Sequence, residues 1–292
     1  MLHCTSNTAP IRCKIPLILT LHDIIFLEPR DKSNKSLYQN LGWFYRRLVV
    51  PRILRKCQYI ITVSNFEKNN IISKLNIPQE RIRMIYNGYN EWFRPTQDTD
   101  QVYKKYIDDL GYFFFLGNTD PKKNTERTLI AYSMYLEKSD VKRKLLMADL
   151  DKGYLDDIIE RNHIENIRDF IVMPGYIVNS DLPYIYNNAF AFLYTSLRES
   201  FGIPLLEAMA CGTPVITSNT SSMPEIGGKD AILVNPESPE EIAEKMLLLE
   251  KDDQYYRKQE EYGIIRAKLF SWRLTAESLL NVYDKIYRQK KH

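Results

Sequence analysis

Two glutamates, Glu199 and Glu207, stand with seven residues between them in Leu197-Arg198-Glu199-Ser200-Phe201-Gly202-Ile203-Pro204-Leu205-Leu206-Glu207-Ala208-Met209-Ala210-Cys211-Gly212-Thr213-Pro214. A carboxylate accepts paired, charge-assisted hydrogen bonds from neighbouring hydroxyls. Pro204 suits the first turn of a helix, where its missing N–H would be unpaired anyway. Gly212 suits the residue after a helix, where positive φ is often needed. The segment therefore predicts a helix of about two turns beginning near Ile203. The free N–H groups at its start can hold an anion, and Gly202 lets a ligand come close to the backbone. An apolar run, Ala189–Tyr194, precedes the segment and reads as a buried strand. Both carboxylates would then border the carboxyl end of a parallel sheet, where open α/β sheets bind ligands. Sugar hydroxyls, a diphosphate and ribose hydroxyls are the groups such a crevice suits. On these residues alone, an ordinary turn with two solvated glutamates fits as well.

Three further stretches carry groups of the same kind. Gly117-Asn118-Thr119-Asp120-Pro121-Lys122-Lys123-Asn124 follows the apolar run ending at Leu116. A fixed cation at such a strand end can hold an anion and favour a transition state in which negative charge grows there. A lysine pair before a helix is otherwise a solvated charge run. Pro16–Asp23 reads as a buried strand that ends in His22-Asp23 and would deliver an imidazole to a strand terminus. Pro174–Tyr186 reads as a strand end, a turn holding Tyr176 and Ile177, and a helix that Asp181 can cap.

Short apolar runs alternate with longer amphipathic ones, the pattern of βα units in parallel sheets. The predicted strands are Leu17–Leu21, Tyr59–Val63, Ile82–Ile85, Phe113–Leu116, Leu145–Met147, Phe170–Met173, Ala189–Tyr194, Val215–Thr217 and Ile232–Val234. Helical patterns include Asn124–Glu137, Pro204–Cys211 and Pro239–Leu249. The polar stretch Arg94–Asp109 places a boundary between two series of units. This predicts residues 1–95 as a partial Rossmann-like domain of about three strands, 96–270 as a second Rossmann-like domain, and 271–292 as a terminal helix. After Trp272 an apolar stripe, with Leu279, Leu280, Val282, Tyr283 and Ile286, must pack on something.

Composition narrows the classes. Forty Lys and Arg face 37 Asp and Glu, a net charge of +3, which argues against bulk nucleic-acid binding. Four scattered cysteines lack metal-ligand spacing and read as free thiols of a reducing cytosol. No Asp-x-Asp or His cluster suits a metal between phosphates, so no metal is expected. No Gly-x-Gly-x-x-Gly follows an early strand, which disfavours a dehydrogenase. The stretch Tyr38–Lys56 mixes Trp43, Phe44 and Tyr45 with five basic residues. It fits either contact with an anionic membrane surface or a helix packed on its sheet, and Pro51 is expected to interrupt its outer face.

The segment around Glu199 and Glu207 closely resembles the signature of the retaining glycosyltransferase family 4, which has the GT-B fold: two Rossmann-like doubly wound domains facing a cleft. Ser200 departs from it, where the family more often has Gly. The Gly117–Asn124 loop resembles the family's loop of Gly, spacer, basic residue and Lys, with Asn118 where many members have Arg. Gly175-Tyr176-Ile177 resembles its Gly-aromatic-Val turn, and Leu21-His22-Asp23, Ser64 and Asn87-Gly88 also match. The resemblance covers about residues 15–290. It implies catalytic roles for His22, Lys123 and Glu199, and donor contacts from Asn118, Lys122, Tyr176, Ile177, Phe201, Gly202, Ile203 and Glu207. Glu199 would touch the sugar, Glu207 the ribose, Lys123 the diphosphate, and the 176–177 turn the nucleobase. The implied donor is a GDP- or UDP-linked hexose, with GDP-mannose first because Pro-Lys-Lys-Asn resembles mannosyl-type members. No cofactor is implied. The acceptor would be a glycan or a lipid-linked sugar, in surface polysaccharide synthesis, with the enzyme cytoplasmic or peripheral at the inner membrane face. Members usually carry about three more βα units before the His-Asp strand, so the first domain is expected to be incomplete. The weighed alternatives are a poorly active nucleotide-sugar-binding module and another GT-B enzyme such as a nucleotide-sugar epimerase.

Overall fold

The computed structural model describes residues 1–28, 37–98 and 100–289, with the backbone alone for 37–41. The chain divides into two units, one formed by Met1–Gly88 with Trp272–His292 and the other by Tyr89–Ser271.

The first unit runs β1 (Leu2–Cys4), β2 (Leu17–Thr20), α1 (Leu37–Leu54), β3 (Tyr59–Thr62), α2 (Asn65–Leu75) and β4 (Ile82–Met84). Its described strands form a parallel sheet in the order β1-β2-β3-β4. Side chains alternate across a strand. Leu17, Leu19 and Ile60 join Val50, Ile53 and Leu54 of α1 on one face. Ile18, Tyr59 and Ile61 pack on the other face with Val282 and Ile286. Covering both faces explains why the central strands are continuous apolar runs rather than alternating ones. Ser64 caps α2 by accepting from the Glu67 N–H at 3.2 Å, and Asn76 ends it in the left-handed region at φ 51°.

The second unit runs β5 (Tyr112–Leu116), α3 (Thr125–Lys138), β6 (Leu145–Ala148), α4 (Lys152–Asn162), β7 (Ile171–Gly175), α5 (Leu182–Asn188), β8 (Ala189–Tyr194), α6 (Ile203–Ala210), β9 (Val215–Ser218), α7 (Met223–Gly227), β10 (Ile232–Val234), α8 (Pro239–Lys251) and α9 (Asp253–Ala267). Its parallel strands lie in the order β10-β9-β8-β5-β6-β7. Chain direction across the sheet reverses between β5 and β8, so the loops after these two strands part there and leave a crevice at their carboxyl ends. The core beneath is aromatic-rich, with Phe113, Tyr132, Tyr135 and Leu145 among its fully buried members. The last helix, α10 (Trp272–Gln289), belongs to the first unit.

Three expectations need correction. The first sheet has four described strands rather than about three, because Leu2–Cys4 pairs with β2. His3 fixes that strand: its ring nitrogens lie 2.5 Å from the Tyr283 hydroxyl and 2.8 Å from the Thr20 hydroxyl. The division falls after Gly88 rather than after residue 95. Phe93 packs edge-on against Tyr186, and Asn187 bonds both the Thr96 N–H and the Arg94 carbonyl, which ties this stretch to the second unit. Finally, α1 continues through Pro51.

Candidate functional site

The site is built at the β5/β8 switch point. After β5 the chain makes a single 3-10 turn, Pro121–Lys123, which Asp120 caps by accepting from the Lys122 N–H. Asn124 then turns the backbone into α3 with φ 60°. The Asn124 side chain is buried and donates to two carbonyls, Thr195 at 3.0 Å and Pro236 at 2.6 Å. Thr128 on α3 meets the Thr195 hydroxyl at 2.6 Å. The two loops also share a main-chain bond, with the Leu197 N–H donating to the Lys122 carbonyl at 2.7 Å. Four hydrogen bonds thus fix this loop and the start of α3 against the loops after β8 and β10.

Across that junction the Lys123 ammonium lies 2.7 Å from a Glu199 carboxylate oxygen. Both side chains keep some solvent contact, 32% for Lys123 and 16% for Glu199, so a ligand can reach them. The Glu199 backbone is held as well. Its N–H donates to Ser221 at 3.1 Å and its carbonyl accepts from Ser222 at 3.0 Å. Tyr194, at the end of β8, lies under the pair, with the Lys123 ammonium 5.7 Å from its ring centre. Burial raises the Tyr194 phenol well above its ordinary range, and the Glu199 carboxylate adds to this.

Gly202 precedes α6 with φ 97°. A Cβ there would stand 2.7 Å from the Met223 methyl and 3.3 Å from the Tyr194 ring. The position therefore admits only Gly without movement. In the first turn of α6, Pro204 has no N–H and the Leu205 N–H donates to the Gly202 carbonyl at 3.2 Å. One turn on, Glu207 is largely buried, and burial raises its carboxyl from the usual 4.5 to about 7. A ligand offering hydroxyls would supply the hydrogen bonds that water gives an exposed carboxylate.

The other residues expected at the site fall in different places. The Asn118 side chain accepts from the Asp120 N–H at 2.6 Å, so it shapes its own loop. Lys122 donates its N–H to Asp120 at 3.1 Å. Tyr176 is 66% exposed just past Gly175 at φ 80°, whereas Ile177 and Phe201 are buried and can offer a ligand mainly their backbone. His22 lies in the first unit, after β2. Its Nε2 meets the Thr5 carbonyl at 3.0 Å, and its N–H donates to the Asn7 side chain at 2.8 Å. Asn7 also donates to Asp23 at 3.3 Å.

A hollow of about 480 Å³ opens at the carboxyl ends of β5, β6 and β7, lined by Asn118, Thr119, Asp149, Leu150, Asp151 and Gly175. Asp149 has φ 58°, and its N–H donates to the Gly175 carbonyl at 3.1 Å. Sequence reasoning missed Asp149, Asp151, Ser221, Ser222 and Tyr194. The only available signal was their place at the ends of predicted strands, as for Tyr194, or in the loops that follow them. Among the described residues no cluster of His, Cys, Asp and Glu could hold a metal ion, and no helix is long and apolar enough to cross a membrane.

Two parallel-sheet units, the second with its crevice at a Rossmann switch point, define a protein of the GT-B class. Residues 98–266 match the family model described as glycosyl transferases group 1, and residues 2–92 match that of glycosyltransferase family 4. The chain belongs to the glycosyl transferases group 1 family. It is 31% identical to O-antigen chain mannosyltransferase B of Escherichia coli over 91% of this chain and 69% of that protein. It is 25% identical to the serotype-specific mannosyltransferase WbdA of Escherichia coli, over 94% of this chain, and spans 34% of that longer protein. The solved structure of Anabaena HepE in complex with UDP and glucose shares the fold, with TM-score 0.74 and 18% identity over 92% of this chain and 71% of HepE.

Proposed function

We propose that the chain transfers a hexose, mannose first, from a nucleotide diphosphate sugar to a glycan or lipid-linked acceptor, with retention of configuration. The observation that carries this reading is the Lys123–Glu199 ion pair at the β5/β8 switch point, on the loop that leads into α6. A diphosphate entering there takes the Lys123 ammonium and the Ile203 N–H at the start of α6 as donors. Glu199 is then freed to accept from sugar hydroxyls, and Glu207 to accept from the ribose. As the bond from the sugar to the diphosphate oxygen breaks, charge grows on that oxygen, and Lys123 meets it in a fixed position. The backbone at Phe201, Gly202 and Ile203 lies along the diphosphate and sugar. The nucleobase takes the hollow beside Asn118 and Gly175, against the Tyr176–Ile177 turn.

The mannosyl preference and a role in surface polysaccharide synthesis are supported by the two Escherichia coli relatives, which are mannosyltransferases. A nucleotide donor is supported by HepE, which was solved with UDP and glucose. Retention and the role of His22 rest on the likeness to family 4. Lys123 and the helix start supply the positive charge that phosphates need, so the transfer is proposed to run without a divalent metal in the cytoplasm, with peripheral contact at the membrane. The test is release of GDP or UDP from the matching sugar nucleotides with a lipid-linked glycan acceptor. Acceptor-dependent release that Lys123→Ala lowers at least about a hundredfold supports the reading. Equal release by the variant contradicts it.

A further inference from the structure

Tyr194 ends β8 at the floor of the site, and its side chain is 4% exposed. Alternation along the strand puts it on the same face as Phe192, and the two rings stack at 5.5 Å and 22°. For packing alone, a phenylalanine would fill this place. A buried phenol costs free energy unless its hydroxyl finds a partner. Tyr112, Tyr132 and Tyr256 of the same unit find theirs on backbone carbonyls, those of Ile185, Arg143 and Phe190. The Tyr194 hydroxyl turns instead to the Glu199 carboxylate, which stands within hydrogen-bonding reach, with Glu207 as the next charge.

Three parts of the site therefore meet one ring. The Lys123 ammonium is 5.7 Å from its centre, a Cβ at Gly202 would stand 3.3 Å from its edge, and Glu199 faces its hydroxyl. Burial keeps the phenol protonated far above neutral pH, so it serves the carboxylate as a donor.

The need for that donor arises when a diphosphate binds. Lys123 neutralises Glu199 at 2.7 Å. Once Lys123 turns to the phosphates, a carboxylate only 16% exposed loses its cation. Desolvation then favours the protonated carboxyl, which accepts from hydroxyls less strongly than the ionised one. A phenol donating to the ionised form opposes this. It also fixes the carboxylate's orientation while sugar hydroxyls take the remaining lone pairs.

We propose that Tyr194 is a positioning residue that takes over Glu199 from Lys123 when the donor binds, holding the carboxylate ionised and in place for the sugar. The proposal rests on the transferase reading above and adds to it the residue that makes this exchange of partners possible.

The test is a double-mutant cycle of Tyr194→Phe and Glu199→Gln in the full chain. It is read as transfer from GDP-mannose and from UDP-glucose to a lipid-linked glycan, with calorimetry of GDP and UDP beside it. Tyr194→Phe keeps the ring, so nucleoside diphosphate affinity should stay within about twofold of the wild type. Its kcat should fall roughly tenfold to a hundredfold, the loss of one hydrogen bond to a charged group. In the Glu199→Gln background the same substitution should change kcat by less than about twofold, because the phenol acts through that carboxylate. Losses that add in the cycle, or an unchanged kcat in Tyr194→Phe, overturn the role. So does a fall in nucleoside diphosphate affinity that matches the fall in kcat, which would make Tyr194 part of the core alone. The transferase reading fails differently. The unmodified chain would then release no nucleoside diphosphate from either donor, or Glu199→Gln would leave kcat unchanged, and either result overturns this role as well.

Discussion

At the residue scale, Glu207 carries the clearest chemical signature. Its folded carboxyl is raised to about 7 by burial, above its ordinary 4.5. A raised group holds its proton more tightly when folded. Its contribution to stability is therefore complete below about pH 4.5 and is lost as pH rises through about 7. Glu207→Gln removes that loss. The variant should match the wild type in urea melts at pH 4.5 and exceed it at pH 8, by at most ~3 kcal/mol. Donor binding should move the other way, because the ionised carboxylate is the stronger acceptor. Affinity for an intact nucleotide sugar, whose diphosphate does not titrate in this range, should rise from pH 6 to pH 8 in the wild type. It should be flat and lower in Glu207→Gln. A stability gain with unchanged donor affinity would remove the ribose role from Glu207. Gly202 is the second such position. Gly202→Ala places a methyl against Met223 at positive φ. It should cost about 1–3 kcal/mol of stability in thermal melts and weaken donor binding, because the start of α6 must shift.

At the scale of elements, the site depends on two loops being one body. Asn124 provides most of that, through its bonds to the Thr195 and Pro236 carbonyls. Asn124→Ala leaves two buried carbonyls short of a donor and an alanine in the left-handed region. The expected loss is roughly 2–4 kcal/mol in denaturant unfolding. Thr128→Val should cost less, about 1 kcal/mol, since one hydroxyl pair is lost. These elements also show what a sequence displays. The strands of the second unit were legible, because strands covered on both faces are unbroken apolar runs, such as Phe113–Leu116 and Ala189–Tyr194. The α6 start was legible from Pro204 and Gly212, which punctuate the chain for local reasons. Leu2–Cys4 was not, because three residues with a His at their centre carry no strand pattern, and the partners of His3 lie on β2 and α10. Pro51 misled in the other direction: packing of Val50, Ile53 and Leu54 outweighs the hydrogen bond that proline removes. Glu199 and Lys123 were legible as groups bordering one crevice, and the fold brings them to 2.7 Å of each other. Ser221, Ser222 and Asn124 act through backbone groups far away in sequence, which residue types cannot announce.

For the whole molecule, the division into units makes its own prediction. The second unit holds a six-stranded sheet and a large aromatic core among its own residues. Residues 89–271 expressed alone should therefore unfold cooperatively and bind a nucleoside diphosphate nearly as well as the whole chain. A molten, non-cooperative fragment would show that the first unit is needed for this core. The proposed use of a fixed cation in place of a metal is also a whole-molecule statement. Donor affinity should be the same in chelator and in manganese, and binding that chelator abolishes would contradict it.

The central claim is that a nucleotide diphosphate sits between Lys123 and Glu207 at the β5/β8 switch point. Calorimetric titration of GDP and UDP into the full chain, Lys123→Ala and Glu207→Ala tests it most directly. The account predicts that one nucleotide binds the wild type and that each variant loses roughly 1.5–3 kcal/mol of binding free energy, the range for hydrogen bonds to charged groups. Unchanged affinity in both variants would contradict it.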